Sequence, residues 1–236
     1  MEQFNSKNQE KVAGDKGTIE QMKAERQFPI AKEGFVFIGM GLVLTLVSYV
    51  YWGTPMTLLF GVVTLFCAYF FRDPWRVVPD GEGLLVAPGD GMVVDVSKTY
   101  EDRYLKQPAI KISIFLNIFN VHVNRIPVTG RIVGIFYNAG RFFAANVPKA
   151  SLENEQNALL IETASGKRVV CIQIAGLIAR RIVCWAGDGE TREHGERFGL
   201  IKFGSRVDLF LPADAEVRIA KGDKVKGGET IVGLLK

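Results

Sequence analysis

The sequence predicts a mainly β chain, a β-rich α+β fold in which a barrel-sandwich-like domain follows an N-terminal hydrophobic helical hairpin. Three observations carry this. From residue 34 to residue 71 there are 38 consecutive residues without a charge or a histidine. From Arg72 onward the texture changes to short apolar runs punctuated by glycine, proline and aspartate, the pattern of strands joined by turns. Finally, "LLVAPGDGMVVDV" (84–96) and "AEVRIAKGDKVKGGETIVGLL" (215–235) both set a Gly-Asp turn between apolar strands. The second resembles the hairpin of biotinyl and lipoyl carrier domains. Such an arrangement pairs late strands with early ones and brings residue 90 near residue 205.

In chain order, residues 1–33 hold six basic and six acidic residues and few large apolar ones, so a polar, mobile tail is expected. That charge pattern is unlike the short basic start of a secretory signal. The apolar run divides at Trp52-Gly53-Thr54-Pro55 into segments 35–52 and 56–71, about 27 and 24 Å long as helices. Each is slightly short for a bilayer core of about 30 Å. The alternative is a helical hairpin buried in a soluble core. A membrane-associated hairpin over 34–71 is favoured by Tyr49, Tyr51 and Trp52 gathered at one end, as interfacial aromatics are. Lys16, Lys23, Arg26 and Lys32 precede the run, Arg72 and Arg76 follow it, and the turn is uncharged. Both ends are therefore expected on the cytoplasmic side of the cell membrane.

Over 72–236 strands are expected at 84–87, 92–96, 110–116, 131–137, 158–163, 168–174, 181–185, 201–211 and 231–235, with an ordered loop or short helix at 145–156. The net charge of +4 is mild and spread along the chain, which argues against nucleic acid and suits an anionic lipid surface. Three separated cysteines (67, 171 and 184) give neither a disulfide framework nor a zinc ribbon. With His122 and His194 as the full complement of histidines, no metal site is expected, and a zinc hydrolase is excluded. His194, in "GDGETREHGERFG", reads as an exposed loop residue.

The run "IKFGSRVDLF" (201–210) contains an anomaly. With a two-residue period, Ser205 falls on the apolar face with Ile201, Phe203, Val207 and Leu209, where an unpartnered hydroxyl costs about 1–3 kcal/mol. Gly204 beside it weakens the strand. Taken singly, Ser205, His122 in "NVHVNRIP" and Asp90 in "PGDGMV" are ordinary residues. Taken together they supply what a nucleophilic serine needs, a base and an acid to orient it.

Six stretches spread in order along the chain sharpen this: "FFRDPWRVVP" (70–79), "APGDGMV" (87–93), "ISIFLNIFNVHVNRIPVTG" (112–130), "NEQNA" (154–158), "RRIVCW" (180–185) and "GERFGLIKFGSRVDLFLP" (195–212). In them the chain resembles the phosphatidylserine decarboxylase proenzymes of the short-form, archaeal-type branch. The resemblance implies self-cleavage between Gly204 and Ser205 into chains 1–204 (β) and 205–236 (α), held together as a heterodimer. Ser205 would become a covalent pyruvoyl group, the cofactor for converting membrane phosphatidylserine to phosphatidylethanolamine. It casts Ser205 as nucleophile, His122 as general base for both maturation and decarboxylation, and Asp90 as orienting acid or, alternatively, as the base itself, and allows a higher oligomer. Longer relatives carry a second histidine where this chain has Arg125, and threonine where it has Arg206. Arg125 is therefore a candidate for binding the substrate's phosphate or carboxylate. The rival from another class is a membrane-anchored lipoyl- or biotinyl-like carrier, with Lys224 as its modified residue.

Overall fold

The computed structural model describes residues 29–140, 154–176, 181–202 and 205–236. Most of the expected polar tail, most of the expected loop at 145–156, and Gly204 lie outside these residues.

Two helices come first, α1 (Gly34–Tyr51) and α2 (Thr54–Phe70). They are followed by strands β1 (Leu84–Val86), β2 (Gly91–Glu101), β3 (Gln107–Leu116), β4 (Val123–Arg125), β5 (Gly130–Asn138), β6 (Gln156–Glu162), β7 (Arg168–Ala175), β8 (Ile182–Cys184), β9 (Thr191–Arg192), β10 (Arg197–Ile201), β11 (Ser205–Pro212), β12 (Glu216–Val217), β13 (Lys224–Val225) and β14 (Ile231–Leu234). The β-rich domain behind a helical pair is the predicted fold class. A curled antiparallel sheet runs in the order β13-β2-β3-β11-β7-β6-β5-β9, and two small sheets, β1-β14-β12 and β4-β10-β8, accompany it. Late strands do pair with early ones, since Leu84 faces Leu234 and Gly91 faces Val225.

The stretch 201–211 is not one strand. Ile201 ends β10 in a small sheet between β4 and β8, whereas Ser205 opens β11 at the centre of the large sheet between β3 and β7. The chain changes sheet within four residues, which a period-two reading of a continuously apolar run cannot detect. On β11 the alternation holds: Val207, Leu209 and Leu211 are fully buried in the main core with Ile112, Ile114 and Leu116. The other face is covered as well. Arg206 and Asp208 are buried and paired at 2.9 Å, and Lys111 lies 3.5 Å from Asp208.

The hairpin inverts the usual arrangement of apolar and small residues. Where the helices meet, a Cβ on Gly41 would lie 2.4 Å from Thr64 Oγ1, so only glycine permits this approach. Thr45 and Thr64 hydroxyls stand 3.4 Å apart, and Ser48 is buried. Met40, Val43, Leu46, Val50, Leu58, Val62 and Leu65 face outward and are exposed. Small residues within and large apolar ones without is the packing of helices in lipid. α1 is long and apolar enough to cross a membrane, and α2 is a 17-residue apolar helix.

At its base the hairpin joins the β domain through packing. Ala31, Phe70, Phe71, Val121, Val123 and Leu200 form a buried cluster, and Phe37 stacks on Phe71 at 5.3 Å. Ile30 bridges to Arg72, Trp185 Nε1 donates to Glu33 at 2.9 Å, and Arg72 donates to the Phe119 carbonyl at 2.8 Å. The expected boundary between 71 and 72 therefore runs through a packed core.

Candidate active site

Ser205 stands between Leu116 on β3 and Ala175 on β7, fully buried, and its hydroxyl has no hydrogen-bond partner among the described residues. The anomaly in the sequence is thus real in three dimensions. Main-chain pairing on both sides fixes where this residue sits.

His122 is tethered at two points, to β3, which pairs with the Ser205 strand, and to β10, which precedes it. It follows β3 by six residues, after a turn at 117–120 closed by Asn120 N–H to the Asn117 carbonyl at 2.9 Å and by Asn117 N–H to Asn120 Oδ1 at 2.9 Å. Its own carbonyl accepts from Ile201 N–H at 3.3 Å, four residues ahead of Ser205. The imidazole is fully buried and lies against the Phe70 ring at 4.3 Å. Burial pushes its pKa down to about 4, against the upward pull of the Asn120 bond and helped by the nearby charge of Arg72. His122 is therefore neutral near pH 7. Because Nδ1 lies 3.0 Å from the Asn120 carbonyl, which can only accept, Nδ1 carries the proton and Nε2 the lone pair.

The Asn120 carbonyl thus holds Nδ1 of His122, and the hydrogen bonds of Asp90, expected to be the orienting acid, run elsewhere. Both Asp90 oxygens instead accept from Arg76 Nη2, at 2.9 and 2.8 Å, and Oδ1 also accepts from Gly227 N–H at 2.8 Å. The cause is the turn 88–91. It aims the carboxylate at the 226–230 turn and at the segment following the hairpin, while its backbone at Gly89 approaches Leu116, directly opposite Ser205. Residues 90 and 205 are brought into one neighbourhood through this turn.

Arg125 is buried with its guanidinium engaged on three sides: Asp73 at 3.0 Å, the Gly195 carbonyl at 2.9 Å and the Pro74 carbonyl at 3.4 Å. Arg197 also pairs with Asp73. The cluster ties the "RDPWR" segment to β4 and β10. His194 is half-buried and pinned, its Nε2 donating to the Pro79 carbonyl at 2.8 Å while Nδ1 accepts from Thr129. The reading of an exposed loop histidine did not include this contact of 115 residues' separation.

A set of buried amides was also missed. Asn157 Nδ2 donates to Gln173 Oε1 at 3.0 Å, and Gln173 Nε2 donates to Asn124 Oδ1 at 2.8 Å. Asn154 Nδ2 donates at 2.7 Å to the carbonyl of Ala175, the strand partner of Ser205. The available signal was amide side chains inside apolar runs, in "NVHVNRIP", "NEQNA" and "CIQIA". The lysine of the rival carrier reading, Lys224, lies in β13 opposite Met92 and so is not at a hairpin tip.

A family model described as phosphatidylserine decarboxylase matches residues 63–233. A protein from Desulfotalea psychrophila is 47% identical over 207 residues, covering 88% of this chain and 97% of its own length. One from Syntrophotalea carbinolica is 49% identical over 208 residues, with the same coverage of each. One from Nitrosomonas europaea is 49% identical over 203 residues, or 86% of this chain and 94% of its own. All three are named phosphatidylserine decarboxylase proenzyme.

Proposed function

The chain belongs to the phosphatidylserine decarboxylase family, and from that premise we infer that it decarboxylates phosphatidylserine to phosphatidylethanolamine after cutting itself between Gly204 and Ser205. The observation that carries this is the Ser205 hydroxyl, fully buried and without a partner among the described residues, at the head of a central strand. Leaving a buried hydroxyl unmet costs stability, and a nucleophile whose oxygen must be free to attack is a reason to bear that cost.

In this reading His122 Nε2 takes the Ser205 proton and the hydroxyl oxygen attacks the carbonyl carbon of residue 204. The 204–205 C–N bond breaks, the nitrogen gains a proton, and an ester links the two residues. Elimination releases residue 204 as a carboxylate, and hydrolysis of the dehydroalanine left at 205 releases ammonia. Position 205 fits the resulting pyruvoyl group, since it is dry and held by strand pairing on both sides. That group supplies an electron-withdrawing carbonyl beside the substrate's amine-bearing carbon. The buried, neutral imidazole of His122 then moves a proton at its Nε2 in a site from which water is excluded.

Asp90 acts as a positioning residue: with Arg76 and Gly227 it fixes the turn whose Gly89 backbone lies against Leu116. Arg125 clamps β4, and its engaged donors leave it poorly suited to the substrate phosphate. The hairpin anchors the enzyme in the cell membrane with the β domain on the cytoplasmic side, supported by its outward apolar face and basic flanks.

Intact mass under denaturing conditions tests the reading. Purified protein should separate into 1–204 and 205–236, the smaller piece blocked at its start, whereas Ser205→Ala should remain one inactive chain. A Ser205→Ala variant that decarboxylates phosphatidylserine at the wild-type rate would overturn it.

A further inference from the structure

Two fully buried polar groups in this part of the β domain lack a hydrogen-bond partner among the described residues, the Ser205 hydroxyl and Nδ2 of Asn124. An unmet buried donor costs about 1–3 kcal/mol. The one on Asn124 does not come from a loosely held side chain. Its Oδ1 is bonded by Gln173, which is itself bonded by Asn157, so two hydrogen bonds in series fix the amide plane and turn the nitrogen away from Gln173.

The nitrogen lies beside Gly89, which also lies against the cross-strand partner of residue 205. Gln173 pairs with Val207 and Ala175 pairs with Ser205, so the Gln173 and Ser205 side chains share a sheet face. A Cβ on Gly89 would lie 3.2 Å from Asn124 Nδ2 and 3.3 Å from Leu116 Cδ2, and Leu116 is the cross-strand partner of Ser205. Glycine at position 89 thus leaves room between the unmet donor and the residue opposite the nucleophile. The neighbouring Arg125 clamp holds β4, and Asn124 with it, in place.

Building on the self-cleavage reading above, we propose that Asn124 is a catalytic donor whose N–H holds the oxygen carried at position 205. During self-cleavage that oxygen is the Ser205 hydroxyl oxygen, which gains negative charge as His122 takes its proton. After maturation it is the keto oxygen on Cα of position 205, which takes the place of the nitrogen lost as ammonia, the hydroxyl oxygen having left with the carboxylate of residue 204. A neutral, pre-aimed amide in a water-excluded site stabilises such charge without competing for the proton. The relay through Gln173 and Asn157 supplies the fixed aim that a lone asparagine lacks.

Freshly made full-length precursor allows self-cleavage to be timed on denaturing gels. Asn124→Ala should slow it by about 10²-fold, the effect of removing one such donor. Asn124→Asp keeps the oxygen that Gln173 bonds but lacks the donor, so it should be slow at pH 8 and recover as acid returns a proton to the carboxyl. In whatever fraction matures, kcat should fall with KM little changed. Folding is checked by the thermal midpoint of each substitution in a Ser205→Ala background, and if the alanine variant does not fold the aspartate variant decides. Cleavage within threefold of wild type at pH 8 overturns the proposal and leaves the family reading intact. A wild-type chain that never cleaves overturns the family reading instead.

Discussion

The ring of Phe70, the last residue of α2, lies 4.3 Å from the imidazole of His122, with the two planes tilted by 34°. The end of the apolar hairpin is thus one wall of the proposed base. Tyr69 and Arg72 reinforce the junction by bonding the Phe119 carbonyl at 3.2 and 2.8 Å, inside the turn that leads to His122.

Phe70→Ala should consequently do two things. Emptying the space of a fully buried phenylalanine costs about 3–5 kcal/mol. Admitting water beside the imidazole removes part of the desolvation that holds its pKa near 4, so the pKa should rise. With His122 and His194 the chain's two histidines, an NMR titration of the imidazole signals in a Ser205→Ala background reads the shift directly. An unmoved His122 pKa would show that Phe70 does not shield it.

Acid stability follows from the same burial. The folded pKa near 4 lies below the unfolded value near 6.5, so between these pH values the unfolded chain binds the additional proton. Stability from this group is therefore intact above pH 6.5 and lost as pH falls to 4, by on the order of 3 kcal/mol in all. In denaturant melts the Ser205→Ala chain should lose stability as pH falls from 6.5 to 4, and adding His122→Asn should flatten that slope. The self-cleavage rate of the wild-type chain should also hold well below pH 6.5, since the base stays unprotonated there.

Arg125 offers a test that separates clamp from substrate contact. Removing one member of a buried ion pair costs about 3–5 kcal/mol, less here because Arg197 still faces Asp73. Arg125→Met should thus lower the denaturation midpoint of the uncleaved Ser205→Ala chain clearly, while leaving the KM for phosphatidylserine of the surviving mature enzyme within about threefold. A large KM rise without loss of stability would restore Arg125 to the substrate.

The early-to-late strand pairing was legible because two Gly-Asp turns of similar sequence bracket the domain, and Ser205 was legible because a hydroxyl interrupts an apolar alternation. What could not be read is what depends on partners distant in the chain. Arg76, Asp90 and Gly227 come together from the segment that follows the hairpin and from two separate turns, and Asn124, Gln173 and Asn157 meet from three strands. Asp90 was expected to orient His122 on chemical grounds, and the backbone carbonyl of Asn120, two residues away, is a contact such reasoning does not anticipate. The break between Ile201 and Ser205 was hidden because both flanking runs are buried and apolar, and periodicity cannot say which sheet a buried strand joins.

The hairpin is where the sequence boundary and the packing boundary part, and two deletions distinguish them. Removing residues 1–71 takes away Phe70 and Phe71, both fully buried, and uncovers Val121, Val123 and His122. That protein should be poorly soluble or uncleaved. Replacing residues 39–64 by a short Gly-Ser linker keeps Ala31, Phe37, Phe66, Phe70 and Phe71 on the β domain and removes the outward-facing apolar length of both helices. It should fold, cut itself at close to the wild-type rate, and stay in the supernatant when lipid vesicles are sedimented. Its turnover should fall sharply on phosphatidylserine in bilayers and far less on detergent-dispersed lipid, because what is lost is concentration at the surface and not the chemistry. Equal turnover on both forms of substrate would mean that the helices serve the fold alone.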